Sequence, residues 1–582
     1  MAGIQSSHFD EPLGSVSRSL TAWACHRGRS LLLIVVVLLS SLPHVCKGQA
    51  PLDGTWTGGF FLDGSWVAVN LRFASPGDSA GDRGDLLFPS YGGGENVLNV
   101  PLENLKKASS GLHLEIPVRA GRVLFDGVQS PENEKEISGT FVYGNVRGPF
   151  GVTRWAYVPV DSLENYYGAY RVHPDHVISI LRGWGHPRTL NYVDYKTGQV
   201  GTLWPAPQGI FYSGNGLSVS YPIALKVTFE EDDAGDVTGL SWKSWSPNRS
   251  TPAHTHETDI TKMDADKLGF TEERITCQNG DVTIGGTLIL PEGTDRHPII
   301  IVTPGDYGTN RNQLRLWAHN YVSRGIAAFV FDSRGAGQST GSVGANSFSD
   351  LANDVLACVR VLKARDDVEP HGIGLFGFSN SAWTASLAAS RSPDVAFLIL
   401  QSLSGVVPWK QELFRAETQL RVDGFPESVV KQGADFMRQK FEVARTGEGW
   451  EQLQSVMQNA ANQRWLPYTN PPASLERMTL NFKNNMDYDP VPSLETLKIP
   501  ILAMWGDKDT YVPVPESVAI FKGAMAKSGN TDYVTKIYPN CSHSLLVTKT
   551  GSPSTGGTER NFQAGLWDME ADWVLEHADK FK

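Results

Sequence analysis

The segment Ile373-Gly374-Leu375-Phe376-Gly377-Phe378-Ser379-Asn380-Ser381-Ala382 constrains this chain more than any other. An apolar β-run meets a glycine, then a serine two residues on, then a second small residue two further, and helix formers continue. That is a strand, a tight turn and a helix start. A serine on so sharp a turn stands its hydroxyl above the sheet edge, and only small residues fit two positions before and after it. Gly377 meets the first requirement. Ser381 occupies the second, where glycine is commoner, and is still small. Taken alone, the pattern reads equally well as a helix N-cap.

Its surroundings define the sheet. From about residue 268, apolar β-runs alternate with helical stretches, as in a mostly parallel α/β sheet. Glu273–Cys277 and Thr283–Leu290 read as a leading hairpin. Pro298–Val302, Ala327–Phe331, Ile373–Phe376, Ala396–Leu400, Ile499–Trp505 and Tyr533–Tyr538 read as the strands that follow. Wholly apolar runs such as Ile299-Ile300-Ile301-Val302 suit strands covered on both faces. Two of these strands lead into further chemistry. One runs into an acidic loop with Asp507 and Asp509, the other into His543. Ser379, Asp509 and His543 thus each follow a strand at its C-terminal end, where open α/β sheets place their sites. A serine hydroxyl is a poor nucleophile without an adjacent base. An imidazole can take and return that proton near neutrality, and a carboxylate can fix its tautomer.

These residues resemble the α/β-hydrolase superfamily, whose triad follows the chain order Ser, Asp, His. The resemblance covers about residues 268–582. It includes Asp332-Ser333-Arg334-Gly335-Ala336-Gly337-Gln338-Ser339, similar to a DxRGxGxS loop, and Gly506-x-x-Asp509-x-x-Val512-Pro513. The family spacing favours Asp509 over Asp507 as the acid. The arrangement as a whole is similar to secreted bacterial-type serine esterases and peptidase-like hydrolases with N-terminal β modules. What the resemblance implies is an acyl-enzyme mechanism with no metal and no organic cofactor. The Asn380 N–H would be one oxyanion donor. The second would come from Pro304-Gly305-Asp306-Tyr307, with the Asp306 N–H favoured over Gly305, and Tyr307 either packs against substrate or lies on the surface. Asp332 and Arg334 read as loop braces. His297 and His319 read as surface or packing residues, and Gly335-Ala336-Gly337 lacks the Gly-Lys-Ser/Thr of a phosphate loop.

Ninety-eight residues separate Leu400 from Ile499, far more than a βα connection needs. Glu427–Arg445 has apolar residues at helical spacing. A mainly helical cap is expected at about 403–495, with Trp409, Phe425, Trp450 and Trp465 in its own core.

The expected class is therefore α/β, an α/β-hydrolase fold with a helical cap, preceded by one or two small all-β domains. Residues 51–155 alternate apolar and polar, as in Trp66–Phe73, with glycine-rich breaks, which suggests a small antiparallel sandwich or barrel. Residues 156–265 hold further strands at Val177–Leu181, Thr189–Val193 and Ala224–Phe229. Glu230–Gly235 reads as a solvated turn, and a polar stretch around Pro247–Asp264 reads as a linker into the domain at 268–582.

Residues 1–50 stand apart. Arg27 and Arg29 precede the apolar run Leu31–Leu39, and small residues follow. This reads as a cleaved export signal, with an uncleaved membrane anchor or a lipoprotein at Cys46 as alternatives. The run is shorter than the ~20 residues of a membrane span. The expected location is secreted, periplasmic or extracellular, with membrane contact only if the segment stays uncleaved. Its removal, with four basic and two acidic side chains, takes the net charge from −11 to −13. No long basic run is present, so nucleic acid is not an expected partner. Cys277, Cys358 and Cys541 remain, enough for one disulfide at most and without metal-ligand spacing. Asn248-Arg249-Ser250 and Asn540-Cys541-Ser542 are glycosylation sequons.

Three functions follow from this reading: a serine esterase acting on small-molecule esters, a serine peptidase using the same residues, or a binding protein on an inert hydrolase scaffold. The ~215 residues of β modules show no blade repeat, which argues against a peptidase propeller.

Overall fold

The computed structural model describes residues 52–578 except 63–64, 75–82, 88–99, 109–110, 119–120, 131–135, 157, 184–187, 207, 215–216, 218–219, 246–259, 294–295, 306–307, 345, 462 and 553–559. The reading of residues 1–50 as an export signal lies outside the described residues.

Period-two alternation builds the first sheet. Strands β1 (Gly54–Leu62), β2 (Ser65–Phe73), β3 (Arg83–Leu87), β4 (Val100–Pro101), β5 (Glu103–Ala108), β6 (Gly111–Val118), β7 (Gly121–Gln129), β8 (Glu136–Tyr143) and β9 (Val146–Arg154) form one antiparallel sheet in the order β4-β3-β2-β1-β9-β8-β7-β6-β5. β1 and β7 have two strands between them, yet Phe60 and Phe125 touch, ring centroids 5.5 Å apart. Strands neighbour each other at about 4.8 Å, so the sheet must curl for that contact to form. Its single core holds Trp56, Phe60, Leu71, Leu114, Phe125, Phe141 and Phe150.

The next eight strands close into a barrel in chain order: β10 (Gly168–His173), β11 (His176–Arg182), β12 (Leu190–Asp194), β13 (Val200–Ala206), β14 (Ile210–Ser213), β15 (Leu225–Glu231), β16 (Val237–Trp245) and β17 (Ile260–Lys267). The expected turn after β15 is present, with Asp232 Oδ1 accepting the Ala234 and Asp236 N–H groups. The linker reading is corrected at its end. Residues 260–264 belong to β17, which pairs with both β16 and β10 and closes the barrel. The rest of that stretch lies outside the described residues.

Alternation along β11 and β12 decides what the barrel touches. Ile178, Ile180, Leu190 and Tyr192 fill its interior. Leu181 and Val193 point outward and join a core that continues into the last domain. There the Ser179 Oγ lies 2.5 Å from His319 Nδ1, and the Tyr195 hydroxyl donates to the Leu316 carbonyl at 2.6 Å. His319 is therefore a fully buried packing residue, not a surface one. Burial holds its imidazole well below the usual range and keeps it neutral.

The last domain holds an eight-stranded sheet in the order β18-β19-β21-β20-β22-β23-β24-β25. β18 (Thr271–Asn279) and β19 (Val282–Leu290) form the expected hairpin. β20 (His297–Val302), β21 (Ala327–Phe331), β22 (Val368–Phe378), β23 (Phe397–Gln401), β24 (Ile501–Gly506) and β25 (Tyr533–Tyr538) run parallel. Helices α1 (Arg311–Val322) and α10 (Leu566–Ala578) cover one face together with the barrel wall. Helices α2 (Phe348–Lys363), α3 (Asn380–Arg391) and α9 (Val514–Ser528) cover the other. The long insertion after β23 folds as α4 (Pro408–Val422), α5 (Glu427–Thr446), α6 (Trp450–Asn459), α7 (Leu475–Asn481) and α8 (Val491–Leu494). Among the described residues no helix is long and apolar enough to cross a membrane.

Candidate active site

The turn after β22 is as sharp as its sequence requires. Ser379 has φ 58° and ψ −122°, a conformation that costs a non-glycine residue about 1–3 kcal/mol and persists only where neighbours enforce it. The neighbours do so. The Ser379 N–H donates to the Gln401 carbonyl on β23 at 2.9 Å, and the Ala382 N–H donates to the Ser379 carbonyl at 3.0 Å. A Cβ on Gly377 would lie 2.6 Å from the Ala382 Cα and the Ser381 carbonyl oxygen, so glycine is required there. Ser381, the departure from the commoner glycine, has a role of its own. Its hydroxyl donates to the Phe378 carbonyl at 2.9 Å and accepts the Phe378 N–H at 2.8 Å, closing the elbow with side-chain bonds.

Two more strand ends bring the partners. His543 follows β25, and its Nε2 lies 2.9 Å from the Ser379 Oγ. Its Nδ1 lies 2.8 Å from the Asp509 Oδ2. Asp509 follows β24 and its side chain is fully buried. Its other oxygen accepts the Tyr511 N–H at 2.7 Å and the Val512 N–H at 3.0 Å. Both carboxylate oxygens are engaged, so the group has one orientation. The network assigns the tautomer, with Nδ1–H donating to Asp509 and Nε2 left to accept the Ser379 proton. Asp507 is exposed, and its N–H donates to the Tyr538 carbonyl. Of the two acids weighed, Asp509 is the one beside the imidazole.

The histidine is also packed. Phe378 lies 5.1 Å from its ring on one contact, and Tyr511 stacks on it at 4.7 Å and 26°. The Ser402 hydroxyl donates to the His543 carbonyl at 2.7 Å, from a residue with φ 54°.

Asn380 begins α3, so its backbone N–H belongs to the positive end of a twelve-residue helix directly beside Ser379. Its side chain lies against Gly305, with Oδ1 3.1 Å from where a Cβ on Gly305 would stand. Asn380 and Gly305, both expected to line the site, thus lie together, with Asn380 next in the chain to Ser379. Asp306 and Tyr307 lie outside the described residues.

Helix α4 carries a polar row in which Arg415 and Gln419 are buried. Arg415 donates to Glu412 Oε2 through Nε and Nη2, at 3.0 and 2.9 Å, and to Gln419 Oε1 at 3.1 Å. Burial pushes the Tyr511 hydroxyl up to about 12. On α5, burial pushes Lys440 down to about 7 even with Glu412 nearby, and its Nζ donates to the Thr469 carbonyl at 2.7 Å. Trp465, Phe425 and Trp450 pack in one cap cluster and Trp409 against another, as the cap's own core. Outside the site, Asp332 braces its loop by accepting the Arg311 and Gln338 N–H groups. Arg334 binds Asp354.

Sequence reasoning missed Tyr511 and Ser402. Tyr511 sits inside the quoted Gly506–Pro513 motif, but nothing in one dimension shows that its ring folds back onto His543. Ser402 lies in the long insertion and carries no motif.

Residues 280–535 match the X-Pro dipeptidyl-peptidase (S15) family. An uncharacterized 31.7 kDa protein in the traX–finO intergenic region of Escherichia coli is 27% identical over 128 residues, 22% of this chain and 45% of that protein. The chain therefore spans less than half the length of the curated relatives it matches. Solved structures similar to 53% of this chain include DcsB in complex with its substrate analogue, at 17% identity, TM-score 0.35 and 99% of that chain. They also include the Pyrococcus furiosus esterase Pf2001, at 17%, 0.33 and 90%, and dienelactone hydrolase from Anabaena variabilis, at 15%, 0.30 and 98%.

Proposed function

We propose that this chain, which belongs to the α/β-hydrolase superfamily, is a serine hydrolase that cleaves carboxylic esters through an acyl-enzyme. The observation that carries the reading is the continuous hydrogen-bonded line from Ser379 Oγ through His543 to a buried Asp509, with the serine on a strained turn. In this mechanism His543 Nε2 takes the Ser379 proton as Oγ attacks the ester carbonyl carbon. Asp509 holds the imidazolium that forms. The oxyanion is met by the Asn380 N–H and by a donor from the Gly305–Asp306 loop. As the tetrahedral adduct collapses, His543 returns the proton to the departing alkoxide. Water, deprotonated by the same imidazole, then releases the acid and restores Ser379. Tyr307 is proposed to contact substrate. No metal or organic cofactor enters any of these steps.

A second reading, a serine peptidase of the aminopeptidase or dipeptidyl-peptidase kind, uses the same residues and is favoured by the family match at 280–535. Parallel assays on p-nitrophenyl acyl esters and on aminoacyl and Xaa-Pro p-nitroanilides separate the two. Ester turnover lost in Ser379→Ala supports the proposal, and turnover retained in that variant refutes it. Export through residues 1–50 is proposed with the function, and the N-terminal mass of the mature protein tests it.

A further inference from the structure

Tyr511 is bound at two points that belong to separate parts of the site. Its backbone N–H donates to the Asp509 carboxylate at 2.7 Å. Its ring lies nearly parallel to the His543 imidazole, centroids 4.7 Å apart. A histidine fixed by two hydrogen bonds in its plane can still tilt about the line joining them. The Tyr511 ring opposes that tilt from one side, and Phe378, at 5.1 Å and 44°, provides a second ring contact. We propose that Tyr511 is a positioning residue that sets the plane of His543 and so keeps its Nε2 aligned on the Ser379 Oγ. The proposal rests on the reading of Ser379, His543 and Asp509 as the reacting set. Tyr511 itself transfers no proton and forms no bond to substrate.

Ring and hydroxyl can be removed separately. Tyr511→Leu removes the ring, and Tyr511→Phe keeps the ring and removes the hydroxyl. With p-nitrophenyl butyrate, Tyr511→Leu is expected to lower kcat by about 10²-fold with KM within a few-fold, the scale of loss when a reacting group is displaced by about 1 Å. Tyr511→Phe is expected to keep kcat within a few-fold of wild type, rescuing most of that loss. A kcat in Tyr511→Leu equal to wild type would overturn the positioning role. A kcat in Tyr511→Phe as low as that of Tyr511→Leu would overturn it as well, because the ring would then not be what positions the base.

A readout independent of turnover separates this proposal from the functional one. In protein with ¹⁵N-labelled histidine, the His543 ring signals, identified by their loss in His543→Ala, should move in Tyr511→Leu. If they move while wild-type Ser379 neither labels with a fluorophosphonate nor turns over ester, the function fails and the positioning stands. If they stay in place, the positioning fails whatever the activity.

Discussion

Glu570 offers a test of the physical argument away from the site. It lies on α10, fully buried against α1, with Oε2 accepting the Tyr321 hydroxyl at 3.1 Å. Burial raises its carboxyl from 4.5 to about 8, the Tyr321 hydrogen bond lowering it only in part. The sign follows from proton counting. Between about pH 4.5 and 8 the unfolded chain has released this proton and the folded chain holds it, so stability falls as pH rises through that window. Below 4.5 both states hold the proton and the contribution is fully present. At about 1.4 kcal/mol for each pH unit inside the window, wild type should lose roughly 3 kcal/mol from this group between pH 5 and 8. Glu570→Gln keeps an oxygen for Tyr321 and cannot ionise. It should therefore gain roughly 3 kcal/mol relative to wild type over the same range. Urea denaturation of both proteins at pH 5, 6.5 and 8, read as the difference between them, cancels every other titrating group. A difference that stays constant with pH would refute the reasoning, and one that changes in the opposite direction would mean the carboxyl is ionised in the fold.

Other outcomes test the site itself. Asp509→Asn should lower kcat by about 10⁴-fold through the wrong imidazole tautomer, whereas Asp507→Asn should stay near wild type on the same p-nitrophenyl ester. Gly377→Ala should abolish fluorophosphonate labelling of Ser379, since the new methyl meets the α3 backbone at 2.6 Å; labelling at the wild-type rate would show that the elbow is less tight than described. Ser381→Gly should retain activity but lower stability by about 1 kcal/mol, the scale of lost hydrogen bonds across a turn, measured as a shift in urea midpoint. Tyr195→Phe should cost a similar amount, about 1 kcal/mol, because it removes the bond from the barrel to the Leu316 carbonyl.

The parallel sheet was legible because its strands are buried on both faces and carry uninterrupted apolar runs that polar helices punctuate. The residues of the proposed site were legible because each follows such a run, and strand ends are where a polar side chain can stand above a dry sheet. The barrel's last strand was not legible. In Asp264-Ala265-Asp266 only Ala265 is buried, and both aspartates face water, so the stretch has the composition of a linker and becomes a strand only when β10 and β16 supply its hydrogen bonds. The same holds for Ser179 and His319, 140 residues apart, which look like unrelated polar residues until the barrel wall meets α1.

By itself, then, the sequence determined an α/β domain with a serine on an elbow, an acid and a histidine in order, and a helical insertion above them, because local patterning and turn sterics suffice for each. Only the tertiary structure decided that Tyr511 and Phe378 pack around the imidazole, that Ser402 holds the His543 carbonyl, and that the barrel wall meets α1. Those are contacts between segments tens to hundreds of residues apart. Their geometry is set by how helices and strands pack in three dimensions, which no local periodicity records.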